Sequence, residues 1–181
     1  MTTRKMGFDD PKHRTRQWLE TVVIGLNFCP FAKRELRRNA IRFTESPSHR
    51  VEEVLEQLVS ECRFLDNHPE TETTLLILPN GFEEFLDYLD MLELAERLLA
   101  KLGYEGVYQI ASFHPDYCFA DAEKEDAANF TNRSPLPMLH LLREASLEKV
   151  IDDYPDTDTI PQANIEKARL LGADYFRALL D

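Results

Sequence analysis

The stretch FHPDYCFADAEKEDAANFTNRSPLPMLHLLRE, residues 113–144, holds two histidines, a cysteine, two asparagines and three prolines between two apolar runs. A segment of that length with little regular pattern is uncommon inside a compact domain, and its usual uses are function or disorder. Its aromatic residues speak against disorder. How its last part is read decides the fold. Met138, Leu141, Leu142 and Ala145 follow helical spacing, with His140, Arg143 and Glu144 on the opposite stripe. This predicts a helix over residues 137–150, Leu136 being extended by the proline that follows it.

Working outward, Val107–Phe113 reads as a strand running into His114-Pro115-Asp116. Before it lies a long amphipathic segment containing Phe85, Leu89, Leu92, Ala95 and Leu99, with Phe82 also facing inward, ended by Gly103. Thr73–Leu78 (TTLLIL) is a short apolar run bounded by Pro79-Asn80-Gly81, the pattern of a buried strand. Val51, Val54, Leu55, Leu58, Cys62 and Leu65 mark a further helix, opened by Ser46-Pro47-Ser48, and Ile41–Thr44 is a faint strand. At the start, Asp9, Asp10 and Pro11 signal a helix N-terminus, and Cys29-Pro30 stops that helix. At the end, an acidic linker over residues 151–161 precedes a last helix starting at Pro161.

Strand, helix, strand, helix, strand with short connections predicts an α/β fold. The expected form is a small, mainly parallel sheet of three or four strands with helices packed on it and helical additions at both ends. A ferredoxin-like α+β sheet is the alternative. Residues 1–181 read as a single domain, long enough for a substantial core.

The apolar and charged fractions, 43% and 30%, are those of an ordinary globular protein. No run reaches the roughly 20 apolar residues of a membrane span, and the N-terminus lacks the apolar centre of a signal peptide. Three widely spaced cysteines fit a reducing cytoplasm better than a disulfide framework. The net charge of −12 is uneven: residues 1–50 hold eleven Lys and Arg against five Asp and Glu. That asymmetry reads as solvated helix faces or as docking within the chain or on a partner. The overall acidity argues against nucleic acid as partner.

The candidate chemistry lies at the two ends of the opening stretch and in one block outside it. In a parallel sheet, ligands sit beyond the carboxyl ends of strands, which is where His114 and Asp116 fall. His114 is then a proton-transfer group oriented by Asp116, or the two merely build a turn around Pro115. Asn129, Asn132, Arg133 and Ser134 precede the expected helix and form a cradle for a phosphate or carboxylate; the plain alternative is an ordinary cap. Cys29 sits beside Lys33 and Arg34, cations that favour a thiolate. It needs a base from far along the chain, His114 or His140. A metal site drawn from Cys29, His114, Asp116, Cys118 and His140 is a second arrangement, without the tight spacing of a zinc motif. Cys62 reads as core. Walker, G-x-G-x-x-G, G-x-S-x-G and H-E-x-x-H sequences are absent.

Three blocks in this order, Asn27–Lys33 (NFCPFAK), Phe113–Phe119 (FHPDYCF) and Asn129–Glu144 (NFTNRSPLPMLHLLRE), resemble the bacterial DUF1415 family. The resemblance extends to Ile160-Pro161 and Asn164-Ile165 near the end. It implies no established activity.

The expectation is therefore a cytoplasmic small-molecule enzyme or binder with a polar pocket for an anionic metabolite. His114, Asp116, Cys29 and His140 are the catalytic candidates; Asn129, Asn132, Arg133, Ser134 and Lys33 are the ligand-binding ones. A transition-metal enzyme and a non-catalytic interaction protein are the alternatives. Cofactor, reaction and oligomeric state are left open.

Overall fold

A computed structural model describes residues 10–153 and 157–180. The expected role of Asp9 and the centre of the acidic linker, residues 154–156, lie outside the described residues. Asp10 does cap the first helix, its Oδ1 accepting from the Lys12 amide at 3.1 Å, with Pro11 in the first turn.

The chain forms α1 (Pro11–Trp18), α2 (Ala32–Arg37), β1 (Ile41–Glu45), α3 (Val51–Asn67), β2 (Thr73–Ile77), α4 (Phe85–Lys101) and β3 (Tyr108–Phe113). Then follow β4 (Met138–Arg143), α5 (Glu144–Asp153), α6 (Ile160–Leu171) and α7 (Ala173–Leu180). The α/β class holds, but the sheet is mixed. Its order is β1-β2-β4-β3, with β1 and β2 parallel and β4 antiparallel to both of its neighbours. The alternation of strand and helix correctly links β1, β2 and β3 through α3 and α4. What it misses is that β4 enters antiparallel between β2 and β3.

The expected helix over residues 137–150 is thus corrected: Met138–Arg143 is a strand, and a helix begins only at Glu144. The physical reason is burial on both faces. Leu139 and Leu141 join the core under α3 and α4, while Met138 joins the core on the other side. A strand covered on both sides carries an unbroken apolar run, which periodicity cannot separate from a helix. The ladder extends one step beyond β2, where the Pro137 carbonyl accepts the Leu78 amide at 2.9 Å. Four smaller corrections follow. α3 starts at Val51 rather than at Ser46–Ser48. α4 starts at Phe85, Phe82 lying in the preceding turn with φ 61°. Much of the expected acidic linker is helical, and the last helix is split at Gly172.

The two sheet faces carry two cores. The first face packs Leu76, Leu139, Leu141 and Tyr108 against Leu58 and Cys62 of α3 and Tyr88 and Met91 of α4. The second packs Leu75, Met138 and Phe113 against Trp18 and against Phe130 and Phe176. Each fully buried side chain of this kind contributes about 1.5–3 kcal/mol.

Between α1 and α2 the helix loosens into a π-helical turn, Leu19–Ile24, whose wide bonds run from the Gly25 amide to the Glu20 carbonyl and from Phe28 to Val23. Gly25 is required there. A Cβ at that position would overlap the Thr21 carbonyl. π turns of this kind occur often at functional sites.

Candidate functional site

The second sheet face is not fully covered. Over it, between the π turn, α2 and α5, lies a cavity of about 610 Å³, within the size range of small-molecule sites. Its floor is the sheet itself: Thr73 and Leu75 of β2, Ala111 and Phe113 of β3, His140 and Leu142 of β4. This set follows from register and pleat, because Leu75 and Ala111 are the strand partners of His140 and all three point to the same face. Trp18, Leu19 and Val23 form one wall. The mouth carries charge: Arg34 and Glu35 from α2, Arg38 just past its C-terminal end, Glu72, and Lys149 from α5.

Glu35 is nearly buried, 8% exposed in its side chain, and is gripped by Arg34 at 2.6 Å and Arg38 at 3.2 Å. Two guanidiniums around one carboxylate leave this side of the mouth net positive. Both arginines are exposed.

Among the described residues, His140 is the one imidazole on the floor. Its Nε2 lies 2.7 Å from Thr73 Oγ1, and the Thr73 hydroxyl itself donates to the Leu141 carbonyl. Since that hydroxyl has a single proton, Nε2–H of His140 is the donor in their contact. Burial pushes the imidazole down to about 4, so the ring is neutral at physiological pH. It is a weak base there and a good neutral hydrogen-bonding group.

Of the expected site residues, the fold brings Cys29 and His140 to this one cavity. Cys29 arrives on a turn built by left-handed Asn27 and clamped from α6, where Lys167 donates to the Leu26 carbonyl and Asn164 to the Phe28 carbonyl, both at 2.7 Å. Lys33 is exposed on α2, next to Arg34 but outside the lining.

The other candidates lie elsewhere, and all but Asp116 have side chains bonded within the chain itself. His114 is fully buried against Phe85 and Tyr88 of α4. Its Nδ1 accepts the Asp116 amide at 2.9 Å, which leaves Nε2–H to donate to the Phe82 carbonyl at 2.8 Å. Burial holds it below its ordinary value. Asp116 meets it through the backbone, and its own side chain is exposed. Asn129, fully buried, accepts from the Phe119 amide and donates to the Glu123 carbonyl. Asn132 donates to the Ser112 carbonyl, and Ser134 to that of Leu136. Arg133 donates to the carbonyls of Tyr117 and Lys124 and lies 4.5 Å over the Phe130 ring. The residues that looked like an anion cradle are cross-ties of their own loop. The short helical turn Ala127–Thr131 that carries Asn129 is capped by Asp126, which in turn pairs with Arg169 of α6.

Cys118 contacts the Ala122 carbonyl at 3.4 Å, within the same loop. The expected metal ligands are not assembled: among the described residues no three His, Cys, Asp or Glu side chains are grouped to hold an ion. Among them also, no helix is long and apolar enough to cross a membrane.

Sequence reasoning missed Thr73, Trp18, Ala111 and Arg38 as lining residues. Thr73 carried a usable signal, a hydroxyl at the head of an apolar strand. Its meaning needed the register with β4, and β4 was read as a helix.

Residues 10–178 match the model of a family described as a protein of unknown function (DUF1415), and the chain belongs to that family. No curated protein and no solved structure matches it.

Proposed function

We propose that this chain binds a small amphiphilic anion in the cavity over the second sheet face. The ligand is an apolar body ending in a carboxylate, sulfonate or phosphate. The observation that carries this reading is the division of the lining: an apolar floor and wall inside, from Leu75, Leu142, Phe113 and Trp18, and cations of α2 and α5 at the mouth. Apolar lining with a few placed polar groups is the general form of small-molecule sites. The π turn, an energetically unusual element, supports the same reading by lending Leu19 and Val23 to the wall. The anionic ligand expected from sequence is kept; the polar pocket is replaced by an amphiphilic one.

Trp18 is the chain's single tryptophan and lines the cavity, so occupancy has its own optical signal. The probe is 8-anilinonaphthalene-1-sulfonate, an apolar anion that accepts excitation energy from tryptophan. The expected result is saturable one-to-one binding with energy transfer from Trp18, displaced by decanoate. Ala111→Phe, which fills the floor, abolishes it. Arg38→Gln with Lys149→Gln weakens it by about tenfold in low salt, each exposed cation contributing at most about 1 kcal/mol. Arg34 is left in place to hold Glu35. Binding that ignores Ala111→Phe, or that occurs without energy transfer, refutes the proposal.

A further inference from the structure

We infer that the cavity selects ligands carrying a hydroxyl or N–H donor, which His140 Nδ1 receives on the floor. This rests on the cavity being the binding site, and it deepens that reading by adding a specificity residue.

The inference starts from the proton count of one hydrogen-bond chain. Thr73 gives its only proton to the Leu141 carbonyl and therefore receives one from His140 Nε2. A neutral imidazole with its proton on Nε2 presents Nδ1 as an acceptor. Nδ1 has no partner among the described residues. The sealed-off side-chain atoms without a partner there are the hydroxyls of Thr15, Thr74 and Thr157, so Nδ1 is not enclosed in the core. His140 lines the cavity, and Nδ1 is assigned to that space.

Its surroundings make that acceptor selective. Leu75 and Ala111 flank it in register, and Phe113 and Leu142 complete the floor. None of these four side chains offers a donor. Without a ligand, water serves Nδ1. An apolar ligand expels that water and leaves the acceptor unpaired, whereas a ligand with a hydroxyl at this height replaces it. Sites built around a buried polar group discriminate strongly against ligands that fail to satisfy it. Thr73 is a positioning residue: by holding Nε2–H it keeps Nδ1 the acceptor, as an outer hydrogen-bond partner fixes the tautomer of a working histidine. Because burial keeps the ring neutral, the preference is constant across physiological pH.

The test compares decanoate with a series of hydroxydecanoates whose hydroxyl is stepped along the chain. Each displaces anilinonaphthalenesulfonate from the wild-type protein and from His140→Phe. The expected result is that at least one isomer is preferred over decanoate by the wild type. His140→Phe should reduce that preference by about fivefold or more, the effect of leaving one buried acceptor unpaired. Decanoate itself should bind the variant as well as or better than the wild type. Long-range proton–nitrogen spectra of the wild type at pH 7 should show His140 protonated on Nε2 alone, with Thr73→Val allowing the other tautomer. If decanoate binds but no isomer's preference changes by more than about twofold, the donor inference falls and the cavity reading stands. An Nδ1–H tautomer or an imidazolium at pH 7 overturns the inference whether or not the variant folds. Absence of anilinonaphthalenesulfonate binding near Trp18 removes both.

Discussion

Replacing His140 by Phe should change how stability depends on pH, and the size of the change follows from where the ring sits. In the folded protein, burial takes the imidazole from its ordinary 6.5 down to about 4. The unfolded chain regains the ordinary value. Above pH 6.5 both states are neutral at this residue, and folding is unaffected by it. Between 6.5 and 4 the unfolded chain takes up a proton that the folded chain refuses, so stability falls as pH falls. Below 4 both states are protonated and no more is lost. At about 1.4 kcal/mol per pH unit of displacement, the stability lost across this window is about 3 kcal/mol. Phe keeps the ring and removes the proton. Its curve of unfolding free energy against pH should therefore be flatter than wild type by up to about 1.4 kcal/mol per pH unit between 6.5 and 4. At pH 7.5 the variant should be less stable by about 1 kcal/mol, for the lost contact with Thr73. His114, also held down by burial, is present in both proteins and cancels. Urea unfolding followed by Trp18 fluorescence from pH 7.5 to 4.5 makes the measurement. Parallel curves for the two proteins would mean that His140 titrates normally and that burial does not hold its value down.

Two further outcomes follow from the same structure. Gly25→Ala places a Cβ against the Thr21 carbonyl, so the π turn must rearrange, at a cost of about 1–3 kcal/mol. The Trp18 emission should shift and anilinonaphthalenesulfonate binding should weaken, while unchanged emission with unchanged stability would show that the turn tolerates a side chain. Glu61, 2% exposed on α3, accepts from Arg42 at 2.7 Å and from Gln57 at 3.0 Å. Because the Arg42 side chain is 36% exposed and can turn to water, Glu61→Leu should cost about 2 kcal/mol rather than the 3–5 of a fully buried broken pair. Urea midpoints decide it, and a loss below about 0.5 kcal/mol would show the pair to be energetically idle.

The elements that could be read from the sequence are those whose pattern is local. α3 and α4 each bury one stripe, so their spacing declares them, and β2 stands out as a short apolar run between turn signals. β4 could not be read that way. Met138–Arg143 buries Leu139 and Leu141 in one core and Met138 in the other, against parts of the chain far away in sequence, and those parts decide that it is extended. Once it is a helix on paper, the sheet becomes parallel, the carboxyl ends of its strands become the expected site, and His114 inherits a role it has no free nitrogen to perform. That one strand also moves His140: read as a catalytic candidate on a helix stripe, it stands instead on the sheet, opposite Leu75 and bonded to Thr73.

A more general distinction separates the polar residues that attracted notice. Asn129, Arg133 and His114 look chemical because each offers several donors or acceptors at close spacing. A long loop with little regular structure needs such groups for itself. The carbonyls of Phe82, Tyr117, Glu123 and Lys124 are met by these side chains, since a buried backbone group without a partner is costly. Composition alone cannot tell a group that closes its own loop from one that awaits a ligand. The difference is whether the chain uses up its hydrogen-bonding capacity. By that measure His114 is full, with both nitrogens engaged, and Asn129 is nearly so. His140 is half used, held by Thr73 at one nitrogen and open at the other, in an otherwise apolar cavity. It is this remaining capacity that favours the floor of the second sheet face over the loop over residues 113–136 as the binding place we propose.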